Sequence, residues 1–466
     1  MSKLDYCFSN DYMVLRPDRA GPVQLLHLLV SPKVGRNKAV DCFTSTEIRS
    51  FRRRVAIFLN LLLQILLLSL TGPLAALGAA VEFALNLVDN ILHGHGRKTM
   101  KYPDRSSPTY RSVTGLIDRR VDLDRSVKPT DTRFDAALCV MASKLAYESE
   151  AFVRNVVTRH WKMEFVRFYN CWNEFQNAYT AQAFVFSDKP AEADLIVVAF
   201  RGTKVFDLAR WRADVDPSWY KIPRLGCAHA AYTHALGAQR NVGWPKWVEH
   251  IKGKKPQKVY AYYAIRDTLH ELLEAHRNAR LLVTGHGSGG ALAVLFCAIL
   301  AYHKEKAVLD RLAGVYTFAQ PRVGDAMLAM FVERNLDRPR KRHFRVTYGH
   351  DAMPRLPDDR SAVHFLHFGL RLHYDTSYKL KVLTDIPGDA TSSSSSPLHF
   401  VTNRINSAWE LGRGLHLGLT RGAYFREGWL LLMMRVLALA MPGLPFHRVQ
   451  DYVNAILLGA CIPKDN

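Results

Sequence analysis

Six consecutive residues, Gly285-His286-Gly287-Ser288-Gly289-Gly290, place a hydroxyl and an imidazole among four glycines. An apolar, β-rich run at residues 281–284 precedes them, and an alanine- and leucine-rich helix follows to about Tyr302. A strand that passes into a helix through so tight a turn holds its apex residue out of the fold, where a side chain can attack a carbonyl. The residues two before and two after the apex must be small, because strand and helix meet there. Gly285 and Gly289 are such a pair, and their midpoint is Gly287. The hydroxyl of Ser288 stands one position later.

Two arrangements follow from that offset. If the turn slips by one residue, Ser288 becomes the apex and the nucleophile. His286 and Gly290 then flank it, with an imidazole where the turn needs a small side chain. If the register is kept, Gly287 takes the apex, since glycine adopts strained backbone without steric cost. Ser288 then opens the helix with its hydroxyl turned away by about 100°. The small-residue rule favours the second arrangement, which removes the attacking atom.

Four further motifs stand in order around the turn. Phe200-Arg201-Gly202-Thr203 ends an apolar run at residues 194–201. Thr317-Phe318-Ala319-Gln320-Pro321-Arg322-Val323-Gly324-Asp325 follows another apolar segment. Asp351-Ala352-Met353-Pro354-Arg355-Leu356-Pro357 comes next, and then Pro442-Gly443-Leu444-Pro445-Phe446-His447 with Gln450-Asp451-Tyr452-Val453-Asn454. With the glycine-rich turn, these resemble the class 3 (fungal-type) lipases, specifically the plant oil-body triacylglycerol lipase branch, over roughly residues 50–460.

That resemblance implies an α/β-hydrolase core of the class 3 lipase type and hydrolysis of acylglycerol esters by a Ser-His-Asp mechanism. A hydroxyl is a poor nucleophile until an imidazole takes its proton, and a carboxylate orients that imidazole. By resemblance, Asp351 is the orienting carboxylate, His447 the base and Ser288 the nearest hydroxyl. Thr203 and the Ser288 N–H would form the oxyanion hole. Gly285, His286, Gly287, Gly289 and Gly290 would form the elbow, with His286 outside the triad. Such chemistry needs no metal or organic cofactor. Singly, Asp351 reads as an Asx-turn residue, His447 as one of 19 histidines and Thr203 as a turn residue; their joint order is what singles them out. The family pattern reads Gly-His-Ser-Leu-Gly-Gly, so Gly287 replaces the apex serine. His229-Ala230-Ala231-Tyr232 stands where the family has His-x-Gly-Phe. The expectation is a lipid-surface acylglycerol hydrolase. Its competitor is a catalytically silent lipase-fold lipid-binding or scaffold protein on the same membrane.

The elements that must position these residues are alternating strands and helices, with strands at residues 194–201, 281–284, 315–318 and 344–348, which imply a layered α/β sheet. The 466 residues are 48% apolar and 23% charged, enough for a sizeable core. The expected organisation is an N-terminal region (1–50), a hydrophobic anchor (51–90), a basic linker (91–130), the core (131–374) and a C-terminal extension (375–466). That extension holds a serine run at residues 392–396, read as a surface loop, and a short apolar helix at 429–441 interrupted by Arg435, read as a cover on the core. Seven scattered cysteines suit a reducing compartment, and no signal-peptide pattern opens the chain.

Residues 55–81 carry no charge and as one helix would be about 40 Å long, beyond the roughly 30 Å of a hydrocarbon core. Gly72-Pro73 predicts a break, and basic clusters at Arg49, Arg52, Arg53 and Arg54 and at Arg97, Lys98 and Lys101 want both ends on one side. A hairpin or partly immersed helix on a lipid-droplet or endoplasmic-reticulum surface, with the core facing the cytosol, fits both. The formal net charge of +21 favours anionic lipid headgroups as partners. Nucleic acid is not expected: the basic run Arg338-Pro339-Arg340-Lys341-Arg342-His343 reads as a solvated loop between helix and strand.

Overall fold

The computed structural model describes residues 11–93, 102–239, 243–247, 258–349, 351–357, 365–383, 397–440 and 447–460. In chain order its strands are β1 (Tyr12–Leu15), β2 (Val40–Cys42), β3 (Glu164–Asn173), β4 (Ala178–Ser187), β5 (Leu195–Phe200), β6 (Trp219–Ile222), β7 (Gly226–His229), β8 (Arg280–His286), β9 (Leu312–Phe318), β10 (His343–Tyr348), β11 (Leu370–Tyr374) and β12 (Leu380–Leu383). Eight form one sheet in the order β12-β11-β10-β9-β8-β5-β4-β3. Strands β5, β8, β9, β10 and β11 pair in parallel, and antiparallel pairs close both edges. The parallel centre is buried on both faces, which is why β5 reads as an unbroken apolar run, Leu-Ile-Val-Val-Ala-Phe.

Helices Ala261–Ala275 and Ser288–Tyr302 cover one face of this sheet, and Phe134–Leu145 and Val449–Leu458 cover the other. All four strands expected from the sequence are present. The β3–β4 hairpin and the small second sheet, β2-β1-β6-β7, were not foreseen. Through that second sheet the N-terminal region is stitched into the body, Met13 pairing with Trp219. The expected linker is also corrected where it is described: helix Val113–Ile117 is capped by Ser112 and buried against Leu430 and Leu431.

The apolar segment is one helix, Phe51–His93, of 43 residues with Pro73 inside it, so the predicted break does not occur. Proline removes the bond to the carbonyl four residues earlier, and here both Pro73 and Ser69 are exposed to solvent. At about 1.5 Å per residue the helix is roughly 65 Å long. Its stretch Phe51–Ile91 is long and apolar enough to cross a membrane. One face is nevertheless tied to the body. Asn60 Nδ2 donates to the Val215 carbonyl (2.7 Å), Gln64 Nε2 to Asp216 (3.2 Å) and Asn86 Nδ2 to the Arg111 carbonyl (2.8 Å). Leu59, Leu66, Leu70 and Leu77 are exposed.

In the C-terminal extension the serine run lies outside the described residues. Helices Pro397–Thr420 and Trp429–Ala440 pack together, and Arg435 is their joint. It is 1% exposed and reaches Glu410 (3.1 Å), Glu427 (2.6 Å) and Asp451 (2.7 Å). The residue that interrupts the apolar pattern is thus an internal ion-pair hub. Arg435→Ala would leave three buried carboxylates without their shared cation and should destabilise the fold by about 3–5 kcal/mol. Urea unfolding in neutral detergent reads this, and a loss below about 1 kcal/mol would show that Arg413 and Arg448 compensate.

Candidate active site

Strand β8 ends at His286, and the Ser288–Tyr302 helix begins two residues later. Gly287 bridges them at φ +58° and ψ −129°, a conformation that L side chains adopt only under strain. A Cβ at Gly285 would stand 2.2 Å from the Gly289 backbone, and one at Gly289 would stand 2.4 Å from the Phe200 carbonyl. The small pair of the elbow is therefore Gly285 and Gly289, the register is kept, and Gly287 is the apex. Gly287 N–H donates to the Phe318 carbonyl at 2.8 Å, fixing the turn to β9.

The structure brings Asp351 and His447 together. Asp351 follows β10 and His447 precedes the Val449–Leu458 helix, and His447 Nδ1 bonds Asp351 Oδ2 at 3.0 Å. The carboxylate is held by the Met353 N–H (2.9 Å) and the Tyr452 hydroxyl (2.7 Å). His447 Nε2 is buried with no hydrogen-bond partner, and a Cβ on Gly287 would stand 2.9 Å from it. The imidazole thus faces the place where an apex side chain would begin. Residues 441–446 of the preceding motif lie outside the described residues.

Ser288 is not part of that pair. Its Oγ shares a 2.9 Å hydrogen bond with Thr203 Oγ1, which donates to Asp214 Oδ2 at 2.7 Å. The expectation of Ser288 as the hydroxyl served by His447 is not met by this geometry, because the helix start turns its side chain toward the β5 loop. Thr203 does face the elbow, and neither its N–H nor that of Ser288 has a protein acceptor among the described residues. Ser288 is the first residue of its helix, where an N–H has no intrahelical partner. The two donors suit an oxyanion.

Sequence reasoning missed four neighbours. Asp214, which also accepts from Tyr232 (3.0 Å), is pushed up to about 6 by burial against the pull of Thr203 and Tyr232. No local pattern marks it. Tyr147 bonds His286 Nδ1 at 2.8 Å, and Trp211 packs edge-on to His447. Tyr452 lies within the quoted C-terminal motif, which was its available signal. His286 stacks on His447 at 4.4 Å, and burial followed by that neighbour holds it well below the ordinary histidine range.

Comparison with known proteins places this arrangement. The sequence profile described as Lipase (class 3) matches residues 197–361. Triacylglycerol lipase OBL1 of Arabidopsis thaliana is 35% identical, over 97% of this chain and 95% of its own. The chain belongs to the class 3 lipase family. The OBL1 lipase of Nicotiana tabacum is 36% identical over 87% of this chain and 83% of its own, and that of Ricinus communis is 32% identical over 97% and 95%. This class 3 lipase is thus a lipase-like carboxylester hydrolase by family, with glycine at the apex of its elbow.

His447 itself is tuned. Burial opposes the charged form of His447, but the charge and hydrogen bond of Asp351, with Asp214 beyond, outweigh it and raise the pKa above its ordinary 6.5. A raised folded value contributes stability that is full below pH 6.5 and is lost as pH rises through the folded pKa. Asp351→Asn should therefore drop the His447 pKa below its ordinary value, because burial then acts with less opposition. An NMR titration of labelled histidine reads this directly. A value that stays high would shift the tuning to Asp214.

Proposed function

We propose that this chain is an acylglycerol-binding lipase-fold protein of a lipid surface whose Ser-His-Asp chemistry lacks its nucleophile. The observation that carries this reading is the glycine apex beneath the unpartnered Nε2 of His447, with the neighbouring serine turned to Thr203. An ester carbonyl oxygen directed at the Thr203 and Ser288 N–H groups would be polarised there, and His447 with Asp351 would hold or deliver a proton. No hydroxyl stands where attack must begin. Removal of one triad member leaves about 10³–10⁴-fold acceleration over water from the oxyanion hole and binding.

The surface is that of an oil body or the endoplasmic reticulum, with the body in the cytosol. The names of the relatives, the leucine-lined helix and the basic charge support this placement. Each basic residue near an anionic surface adds about 1 kcal/mol of attraction. The competing reading, hydrolysis by Ser288, requires the elbow to slip and His286 to enter a position where even a Cβ has no room.

Triolein hydrolysis on emulsified droplets separates the two. The protein and its Ser288→Ala variant should both stay near background, whereas Gly287→Ser should gain roughly 10³-fold or more. The new side chain displaces the His447 imidazole by a few tenths of an ångström and costs about 1–3 kcal/mol of backbone strain. Clear activity in the parent that vanishes in Ser288→Ala would overturn the proposal.

A further inference from the structure

A cavity of about 540 Å³ lies between the Phe51–His93 helix and the loop that leaves β5. Arg201 and Lys204 line it, but Thr203 between them does not, nor do Ser288 and His447. It is therefore separate from the elbow, although it shares a loop with the oxyanion donors. The long helix contributes small side chains, Ala75, Gly78 and Ala79, with Phe206 packed so closely that a Cβ at Gly78 would stand 2.5 Å from it. We infer that this cavity binds a single-chain anionic amphiphile, its head on Arg201 and Lys204 and its chain along Ala75 and Ala79.

The polar half of the cavity holds a buried, incompletely paired guanidinium beside an unpaired ammonium. Arg201 is 8% exposed; its terminal nitrogens donate to the Gln182 Oε1 and the Thr180 carbonyl, and its Nε is buried without a hydrogen-bond partner. Buried donors left unpaired are costly, so a group that accepts from them is favoured. Lys204 has no ion-pair partner within 4 Å among the described residues. Burial and then Arg201 push its pKa down, as befits a cation short of counter-charge.

Charge balance points the same way. Of the carboxylates around the cavity, Glu150 is paired with Arg154 (3.2 Å) and Asp207 with Arg210 (3.5 Å). Glu148 accepts from the Ser112 N–H (2.6 Å) and hydroxyl (2.8 Å). Arg105, Arg201 and Lys204 then face Glu82 and the already engaged Glu148. The apolar half continues onto the helix whose opposite side exposes Leu66, Leu70 and Leu77, so an amphiphile leaving a lipid surface meets this cavity beside the same helix. A carboxylate head from a free fatty acid and a phosphate head from a lysophosphatidate share the required chemistry. The inference stands whether or not the elbow hydrolyses esters.

The test uses the full chain in non-ionic detergent, with a fluorescent fatty acid as the probe and oleate, oleoyl lysophosphatidate and methyl oleate as competitors. Oleate or the lysophosphatidate should displace the probe at least about tenfold better than methyl oleate, and the better of the two identifies the head. Lys204→Gln should weaken the probe about fivefold or more, and Ala79→Phe, which fills the cavity, about tenfold or more. Should Ala79→Phe fail to fold, Lys204→Gln decides. Equal displacement by methyl oleate, or affinities unchanged in Lys204→Gln, would overturn the inference. Neither outcome bears on the Gly287→Ser assay, so the two proposals fail separately.

Discussion

Strand β8 and the helix after it approach so closely at the elbow that backbone touches backbone, and much else in the site is arranged around that contact. The carbonyl of Phe200 lies where any Cβ on Gly289 would go, and the backbone of Gly289 lies where any Cβ on Gly285 would go. This exclusion fixes which residue is the apex, irrespective of its side chain. It also sets β5 against the helix start, where the Thr203 and Ser288 hydroxyls meet at 2.9 Å. Glycine at the apex then deletes a hydroxymethyl group and leaves the frame in place. The positive φ at Gly287 is a backbone conformation that glycine adopts without the strain a serine would carry there.

What the frame keeps is an electrostatic device. Asp351 is oriented by Tyr452 and the Met353 N–H, and it holds His447 against a neutral, stacked His286. Tyr452 belongs to the helix whose Asp451 binds Arg435, and Arg435 ties in Glu410 and Glu427 from the extension. The chain therefore anchors the residues beside His447 through a buried ionic hub. Such hubs are poor sources of net stability but penalise any alternative pairing, since a displaced partner leaves buried charge uncompensated. A helix whose sequence reads as a cover on the core interrupted by one arginine is tied to its neighbours by that arginine.

The legible parts of the molecule were those where one physical demand dominates a stretch of sequence. Central parallel strands need apolar residues on both faces, so β5, β8 and β9 announce themselves. The elbow needs paired small residues, so its register could be read before any coordinate. Half-exposed strands answer to two environments, and the β3–β4 hairpin, with polar and aromatic residues alternating, escaped notice. Pro73 reads as a break in the sequence because proline removes a backbone donor and crowds the preceding turn. On an exposed face water satisfies the freed carbonyl, and tertiary bonds from Asn60, Gln64 and Asn86 tie the helix to the body.

Asp214 shows the limit of such reading. It sits in a short helix with no distinguishing neighbours in sequence, and only folding brings it under Thr203, Tyr232 and, through Thr203, Ser288. The same helix places Trp211 beside His447 and ends at Val215, whose carbonyl accepts from Asn60 of the long apolar helix. One short helix thus joins the Thr203 loop, His447 and the long apolar helix.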